Sequence, residues 1–362
     1  MGSMKRKKVN SKVLLYEDKP LFGMDIGHDS IRVIQFETAS RKPKLLGYGS
    51  VVFDSNAVKD GEIINPELIA KSAVRLFSHG LIGDISTNRA AVGMTASRIF
   101  TRAVQLPKMN PKDIDEAVKT EVEQYLPMGI NDLYLDYSII KVDENGTEVF
   151  VEAVGKNIVD SYLTLTRLLG VEAILLDTSI GANARLFSFD EQSNLPSVLV
   201  DFGAEYTGIT VFNRGLVVTG SVAFGGDDIT GLIAGALGVT PRDAIVFKSK
   251  YGLSASKVRK HVVAALEPTL ELLIREIRRT IRYYEQRYPK EKPISQIVSM
   301  GGGANMPGLA DYLTDKLRLP SRTLDMTSHF EFGHLHTIHA AEHMTYVTAA
   351  GLALTNPNEV FV

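Results

Sequence analysis

The hydrophobic and polar residues of this chain follow two periods that alternate along its length. Short apolar runs rich in β-branched residues predict strands at 21–36, 44–53, 89–93 and 198–220. Between them, apolar residues three and four positions apart predict helices, one of which begins at Asn65 and Pro66 and ends at Gly80. A longer helix is predicted over 256–287, and we interpret its apolar stripe as core packing because sustained heptads are missing. This alternation predicts an α/β protein.

Two of the predicted strand pairs share one local pattern. Each first strand ends in Asp, any residue and Gly, from Asp25 to Gly27 and from Asp201 to Gly203, before small polar residues and a returning strand. Glycine allows the sharp turn and leaves no side chain between backbone and ligand. Successive turn amides can donate to one anion, and nearby hydroxyls add donors. Since the two aspartates would repel a phosphate, we expect a hydrated divalent cation between carboxylate and phosphate.

A third segment, residues 295–317, runs from an apolar strand directly into three glycines. Gly301, Gly302 and Gly303 allow close approach of a flat group such as a purine or its ribose, and Pro307 opens the following helix. Alone, such a triplet is typical of an ordinary strand-to-helix turn. After two phosphate-type hairpins in the same chain, it favours a nucleotide site.

In this order the three motifs resemble the phosphate-1, phosphate-2 and adenosine motifs of the actin, Hsp70 and sugar-kinase superfamily. Within it, the chain resembles the PilM family of type IV pilus assembly proteins over nearly its whole length. The most discriminating segment is 115–140, where QYLP is followed by LDYSII, and further matching segments are 149–187, 222–252 and 276–286. The resemblance implies an α/β, actin-like fold. This is a ribonuclease H-like duplicated fold with two domains around a nucleotide cleft and an inserted 1C subdomain of the FtsA and PilM type.

The resemblance also implies ATP or ADP with Mg²⁺ as the ligand. Asp25 and Asp201 are the expected magnesium residues, acting through water. The expected nucleotide-binding residues belong to the two hairpins, to a helix start near 226, to Lys248 and to the glycine segment. They are Gly27, His28, Asp29, Ser30, Arg32, Gly203, Ala204, Glu205, Tyr206, Thr207, Gly226, Asp227, Lys248, Gly301, Gly302, Gly303 and Ala304.

By the same resemblance the chain divides into subdomains, after a basic flexible leader that begins with a tag remnant. The expected boundaries are 1–19 for the leader, 20–96 and 155–193 for subdomain 1A with a return at 334–362, 97–154 for subdomain 1C, 194–221 and 293–333 for subdomain 2A, and 222–292 for subdomain 2B.

Three positions depart from the resembled pattern. His28 stands where small residues are usual, Arg32 where lysine is frequent, and Ile245 where a ribose-contacting glutamate is expected. Hydrolysis needs a group that orients water in line with the γ-phosphate, and only Glu205 and Glu123 are candidates. We therefore predict slow or absent ATP hydrolysis, with the nucleotide acting mainly to fix the angle between the domains.

Subdomain 1C is a candidate docking surface. The resemblance implies that the cytoplasmic N-terminal peptide of a PilN-like membrane protein binds in the groove between 1A and 1C, with Glu121, Tyr125, Tyr134 and Tyr137 as candidate contacts. The alternative is a solvated helix face beside a packed aromatic cluster, because exposed acidic residues are usual on helices. Other pilus assembly components are further candidate partners, and any self-association is expected to be weak.

Two other classes of function remain open. The first is an FtsA-like division adaptor or filament former, although the segment TNPNEVFV lacks the basic amphipathic character of its membrane helix. The second is a small-molecule kinase on the same fold, although no catalytic aspartate base is evident.

Composition narrows these classes. With 40 basic and 42 acidic residues, the net charge of −2 gives no electrostatic case for nucleic acid or direct membrane adsorption. The chain has no cysteines and no apolar run of the roughly 20 residues that a membrane span needs. We therefore expect a cytoplasmic protein, peripheral at the inner membrane through protein partners. Five of the eight histidines lie between His329 and His343, where a polar surface loop is the main interpretation and a zinc site the alternative.

Overall fold

The structure is a computed structural model of the 362-residue chain. It describes residues 19–38, 42–95, 99–126, 128–339 and 342–356. The predicted leader therefore lies outside the described residues, except for Lys19, and so do Pro127 and the residues after 356.

The strands of the described residues are numbered in chain order. They are β1 (Phe22–Ile26), β2 (Ser30–Glu37), β3 (Lys44–Val52), β4 (Val58–Lys59), β5 (Glu62–Ile63), β6 (Leu81–Gly83), β7 (Arg89–Met94), β8 (Phe100–Leu106), β9 (Leu133–Asp143), β10 (Gly146–Gly155), β11 (Glu172–Thr178), β12 (Ser197–Phe202), β13 (Thr207–Phe212), β14 (Leu216–Val222), β15 (Gln296–Met300) and β16 (Ser321–Thr323).

The α-helices are numbered in the same way. They are α1 (Pro66–His79), α2 (Ile114–Glu123), α3 (Lys156–Leu168), α4 (Ser179–Phe187), α5 (Gly226–Leu237), α6 (Pro241–Lys250), α7 (Arg259–Arg287), α8 (Leu309–Leu317) and α9 (Val347–Ala353).

Two sheets with the same internal pattern form the two domains. The first has the strand order β11-β7-β1-β2-β3-β6 and the second has the order β14-β13-β12-β15-β16. Each contains an antiparallel meander, β1-β2-β3 or β12-β13-β14, with two parallel strands beside its first strand. Asp25 pairs with Gly93 of β7, and Asp201 pairs with Met300 of β15, so the aspartates occupy equivalent positions. The predicted duplication is confirmed.

An inserted subdomain, residues 99–155, separates β7 from α3. Its three strands form an antiparallel sheet in the order β8-β10-β9. One face of β10 packs through Val149 on Val118 and Val122 of α2, in a small core separate from the others. The opposite face presents Glu148 and Glu152 toward the two domains.

Local sequence signals set the helix ends. The Asn65 side chain accepts the Leu68 amide ahead of α1, with Pro66 as its first residue. Helix α5 ends at Gly238, whose φ of 62° is in the left-handed region that favours glycine. Helix α7 buries the predicted apolar stripe, and it begins three residues later than predicted.

Helices α4 and α9 lie between the two sheets and form the base of the space between the domains. A Cβ at Gly23 of β1 would lie 2.0 Å from the Ala349 carbonyl oxygen of α9, and one at Gly351 would lie 1.9 Å from the Ala182 carbonyl oxygen of α4. Backbones this close leave little freedom at the base of the two domains.

Among the described residues, no individual helix has both the length and the apolar composition of a membrane span. The pair α5 and α6, bent by 103° where the helices meet, passes the same test of length and composition.

Candidate functional site

A cleft of about 740 Å³ separates the two domains. The β1–β2 turn lines one side and the β12–β13 turn lines the other, with the starts of α5 and α6 and the glycine segment after β15 completing the walls. The three predicted motifs therefore meet in one space.

The two hairpins close with the same hydrogen bond. The Gly27 amide donates to the Ser30 carbonyl at 2.9 Å, and the Gly203 amide donates to the Tyr206 carbonyl at 3.1 Å. A Cβ at Gly203 would lie only 2.9 Å from that carbonyl oxygen. Each turn is thus closed by backbone atoms alone, and glycine is required at least at the second.

Inside the two turns, four backbone amides have no protein acceptor among the described residues. They belong to His28 and Asp29 in the first turn and to Ala204 and Glu205 in the second. All four residues line the cleft. Unpaired amides in facing turns are suited to an anion that spans the cleft, such as a polyphosphate.

Two carboxylates lie at the base of these turns. Burial raises the pKa of Asp25 to about 6, against the lowering effect of Arg32, whose Nη1 lies 3.9 Å from Asp25 Oδ2. Burial and the charge of Asp25 raise the pKa of Asp201 to about 6. A divalent cation would stabilise the ionised form of both, and carboxylate oxygens suit Mg²⁺. The residues present therefore fit a magnesium ion between the domains.

A short hydrogen-bonded chain holds Asp201. The Asn183 amide donates to Asp201 Oδ2 at 2.9 Å, and the Thr348 hydroxyl donates to Asn183 Oδ1 at 3.0 Å. Asn183 is in α4 and Thr348 is in α9, so the helices between the sheets orient a carboxylate of the second domain. The sequence analysis missed this chain.

His28 and Glu205 connect the hairpins across the cleft. His28 Nδ1 lies 3.3 Å from Glu205 Oε2, and the Glu205 side chain is 52% exposed. The Ser30 hydroxyl donates to Asp29 Oδ1 at 2.8 Å within the first turn. One contact between exposed or partly exposed side chains therefore bridges the two turns.

The start of α5 is built onto the second hairpin. The Gly226 amide donates to the Gly203 carbonyl at 2.8 Å, and the Asp227 amide donates to the Ala204 carbonyl at 3.0 Å. A Cβ at Gly225 would lie 2.1 Å from the Ala204 carbonyl oxygen. Two of the first amides of α5 are satisfied in this way, so the helix start and the turn move together.

Lys248 of α6 fixes the same helix start from the other side. Its Nζ donates to the Gly226 carbonyl at 2.8 Å and to the Thr230 hydroxyl at 2.9 Å. Burial lowers the pKa of Lys248 against the opposing effect of Asp227. Next to it, Ile245 lines the cleft with an apolar side chain that cannot hydrogen-bond a ribose.

The glycine segment lies against Asp201. Gly301 has a φ of 81°, and a Cβ there would lie 2.3 Å from Asp201 Oδ1. A Cβ at Gly303 would lie 2.8 Å from the Cβ of Phe202. Gly301, Gly302 and Gly303 all line the cleft, so this wall is backbone alone. Such a surface allows a flat group to lie against it.

All predicted nucleotide-binding residues line the cleft except two. The Thr207 hydroxyl is buried and donates to the Phe224 carbonyl at 2.9 Å, away from the space where a ligand would bind. Ala304 is buried as well, and its amide donates to the Gly301 carbonyl at 3.0 Å. Of the two candidates for orienting water, Glu205 lines the cleft and Glu123 lies at the end of α2 in the inserted subdomain.

Several hydroxyl residues that the sequence analysis missed also line the cleft: Thr95, Ser179, Thr230, Thr345 and Thr348. Isolated serines and threonines have no motif of their own.

The four candidate groove residues fall into two places. Tyr125 donates to Glu121 at 2.8 Å and lies under the Arg102 guanidinium, while Tyr137 donates to Asp115 of α2 at 2.6 Å. These three are on the α2 side of the inserted subdomain. Tyr134 is on the other side of β9, where its hydroxyl lies 3.4 Å from Asp160 of α3. Only Tyr134 therefore faces the junction with the first domain.

In the described parts of the histidine segment, 329–339 and 342–343, the backbone forms short helical turns and loops. His329 Nε2 lies 3.9 Å from Asp190 Oδ2, and His343 Nε2 contacts the Ile338 carbonyl. In the part of the chain that the structure describes, no group of three or more histidine, aspartate or glutamate residues is arranged to hold a metal ion.

Solved structures with the same architecture define the class of protein. MreB5 of Spiroplasma citri bound to ADP matches with a TM-score of 0.53 at 12% identity, over 95% of this chain and 98% of that one. The ethanolamine utilization protein EutJ from Carboxydothermus hydrogenoformans matches with a TM-score of 0.55 at 15% identity, over 93% and 91%. With its duplicated sheets around one cleft, the chain has the two-domain fold of the actin-like ATPases.

Within that class, the chain belongs to the family described as type IV pilus assembly protein PilM, whose family model matches residues 23–356. A solved PilM–PilN type IV pilus biogenesis complex matches its fold with a TM-score of 0.78 at 21% identity, over 93% of this chain and 98% of that one. No curated protein sequence matches significantly. The resemblance read from the sequence is confirmed, and the division-adaptor and kinase alternatives are not favoured.

Proposed function

We propose that this protein is an ATP- or ADP-binding scaffold of type IV pilus assembly in which Mg-nucleotide sets the angle between the two domains. The observation that supports this most strongly is the set of four unpaired turn amides, two on each side of one cleft. No protein group among the described residues accepts from these donors, and an anion that contacts both domains at once would pair with all four.

The ligand groups can be assigned to the walls of the cleft. Phosphates would bind the turn amides, with Arg32 adding positive charge on the first hairpin. Mg²⁺ would be held through water by Asp25 and Asp201, and it would neutralise charge between carboxylate and phosphate. The adenosine would lie against the glycine segment and the apolar side chains of Pro241 and Ile245 on α6.

We propose that turnover is slow or absent. The carboxylates that line the cleft lie close to the turns or are paired with another side chain. Glu205 is one of the paired carboxylates, because its Oε2 lies 3.3 Å from His28 Nδ1. None of the described lining residues is a glutamine that could orient water. A single-turnover measurement is expected to show phosphate release over many minutes; release within seconds would contradict the proposal.

We further propose that the partner is the cytoplasmic N-terminal peptide of a PilN-like inner-membrane protein, and the match to a solved PilM–PilN type IV pilus biogenesis complex supports a PilN-like partner. Such a partner would place the protein in the cytoplasm at the inner membrane. The groove between the first domain and the inserted subdomain offers the exposed ring of Tyr134, with Lys156 of α3 5.6 Å from its centroid. Ile64 is 55% exposed on the domain side and provides apolar surface.

A peptide titration tests the partner and the location of its site together. Calorimetry with the N-terminal peptide is expected to show one-to-one binding that Tyr134→Ala weakens about tenfold or more, since aromatic anchors dominate such contacts. Tyr125→Ala is the matched control, because Tyr125 is similarly exposed but lies on the α2 side. No binding to the folded protein, or equal effects of the two variants, would overturn this assignment.

A further inference from the structure

The inserted subdomain is attached to one domain by the chain and to the other by side-chain contacts. Strand β10 ends at Gly155 and α3 of the first domain begins at Lys156, without a connecting loop. On its other side, β8 lies against β14 of the second domain, where the Thr101 and Thr219 hydroxyls are in contact. The subdomain therefore spans both domains outside the nucleotide cleft.

The strongest of these contacts centres on Glu148 of β10. Its Oε1 accepts Arg287 Nε at 2.9 Å, Arg287 Nη2 at 2.7 Å and the Tyr288 hydroxyl at 2.8 Å. The Glu148 side chain is 7% exposed, and Arg287 Nη2 also reaches the Ala103 carbonyl of β8. An arginine–carboxylate pair with this number of donors resists separation, because Glu148 would be left as a buried unpaired charge.

Contacts between the subdomain and the first domain are weaker. Tyr134 reaches Asp160 at 3.4 Å at an exposed position, and Glu152 accepts the Thr178 hydroxyl at 3.1 Å. None of these is an ion pair. When the domains rotate, the described contacts therefore favour movement of the inserted subdomain with the second domain. The relative movement then occurs at the junction between the inserted subdomain and α3.

Helix α7 connects this contact to the nucleotide cleft. It packs against α5, whose first turn lines the cleft, and it ends at Arg287. At 1.5 Å per residue, its 29 residues cover about 40 Å. One continuous helix, with Pro268 in its first half, thus runs from α5 at the cleft to the partner of Glu148.

We infer that the Glu148–Arg287–Tyr288 contact transmits domain closure at the cleft to the groove between the first domain and the inserted subdomain. This inference rests on the proposed function, because it makes the groove the site whose affinity the nucleotide regulates. With the contact intact, closing the cleft changes the groove; with it removed, the cleft closes and the groove does not respond.

The absence of cysteines allows a test that uses neither nucleotide nor peptide. In His28→Cys/Glu205→Cys protein, a short thiol crosslinker joins the two hairpins and holds the cleft closed. Hydrogen exchange is then compared between crosslinked and uncrosslinked protein at 133–138 and 156–161, the two sides of the groove. The same comparison is made after adding Glu148→Gln/Arg287→Met, which leaves no buried unpaired charge, or the control Arg279→Met, an exposed arginine earlier in α7.

We expect crosslinking to change exchange rates at the groove at least fivefold in the parent and in the control, and less than twofold in the double variant. Equal responses in the double variant and the parent, or no response in the parent, would overturn the inference. If the double variant does not fold, Tyr288→Phe removes one of the three donors and is expected to reduce the response by about half. Nucleotide and peptide titrations are run separately, so their failure would refute the proposed function without changing the crosslinking result.

Discussion

Replacing Asp201 by asparagine should stabilise the ligand-free protein and weaken its use of magnesium. The wild-type carboxylate is buried beside Asp25, and burial followed by the Asp25 charge raises its pKa from 3.8 to about 6. An asparagine has nearly the same shape, and its oxygen can still accept the Asn183 amide. The substitution therefore removes a charge that folding disfavours while keeping the local hydrogen bond.

The size of the effect follows from the pKa. Each pKa unit corresponds to about 1.4 kcal/mol, so ionised Asp201 destabilises the fold at pH 7.5 by up to about 3 kcal/mol. The side chain faces a solvent-filled cleft, which lowers the expected gain to about 1–2 kcal/mol. For a protein of this size, that corresponds to a rise in Tm of about 1–3 °C.

The pH dependence gives the sign of the same effect. Because the folded-state pKa lies above the unfolded value, protonation of Asp201 stabilises the fold fully below about pH 4, and this contribution is lost as the pH rises through about 6. The stability advantage of Asp201→Asn should therefore be present at pH 7.5 and vanish as the pH falls toward 4. Taking the difference between variant and wild type cancels the titrating groups that do not interact with Asp201; Asp25, whose charge raises the pKa of Asp201, remains in the difference.

Thermal unfolding of wild type and Asp201→Asn in EDTA at several pH values measures the stability advantage of the variant. Nucleotide titrations with and without magnesium measure how much magnesium-dependent affinity the variant loses. We expect this loss to be 10- to 100-fold. A variant that is less stable than wild type at pH 7.5, or that keeps the full magnesium effect, would refute the reasoning.

Three further predictions concern the walls of the cleft. Gly301→Ala should weaken nucleotide binding more than tenfold in a titration, since its Cβ would lie 2.3 Å from Asp201 Oδ1, whereas Gly235→Ala, in open space on α5, should bind normally and unfold at the same or a higher temperature. Lys248→Met should lower affinity about tenfold, because the first turn of α5 loses two hydrogen bonds, and hydrogen exchange there should rise; unchanged exchange would contradict this. Asn183→Ala should leave magnesium-free nucleotide binding unchanged and reduce the magnesium-dependent gain about tenfold in the same titrations, and a uniform loss would show that it does not act through Asp201.

The sequence predicted the parts of the site that depend on backbone conformation. Gly203 identified the second turn because a side chain there would crowd the Tyr206 carbonyl oxygen, and Gly301 identified the third wall because its Cβ would lie 2.3 Å from Asp201 Oδ1. Gly27 occupies the matching position in the first turn. Aspartates at a fixed distance from those glycines completed the pattern. Backbone constraints of this kind can be recognised from the residue types in a short segment of sequence.

Thr207 shows where local pattern reasoning fails. The closing bonds run from Gly27 to Ser30 and from Gly203 to Tyr206, so Tyr206 is the equivalent of Ser30. Thr207 is one residue further, and in a strand one residue reverses the side-chain direction, which is why its hydroxyl is buried. Only the hydrogen-bond register could show this.

Contacts between distant segments left no local record either. Asn183 and Thr348 are separated by 165 residues, and Glu148 and Arg287 by 139. Each residue alone reads as an ordinary helix or strand position. Tyr134 could likewise not be separated from Tyr125 by sequence, because the side of the inserted sheet to which each belongs depends on how that sheet packs.

The central claim is that the two facing turns and the glycine segment bind one Mg-nucleotide. Calorimetric titration of Mg-ADP and Mg-ATP into the folded, monodisperse protein tests it most directly. We expect one ligand per chain, with an affinity that falls at least tenfold when magnesium is chelated. Absence of any heat of binding at millimolar Mg-nucleotide, in protein whose cooperative unfolding shows that it is folded, would contradict the account.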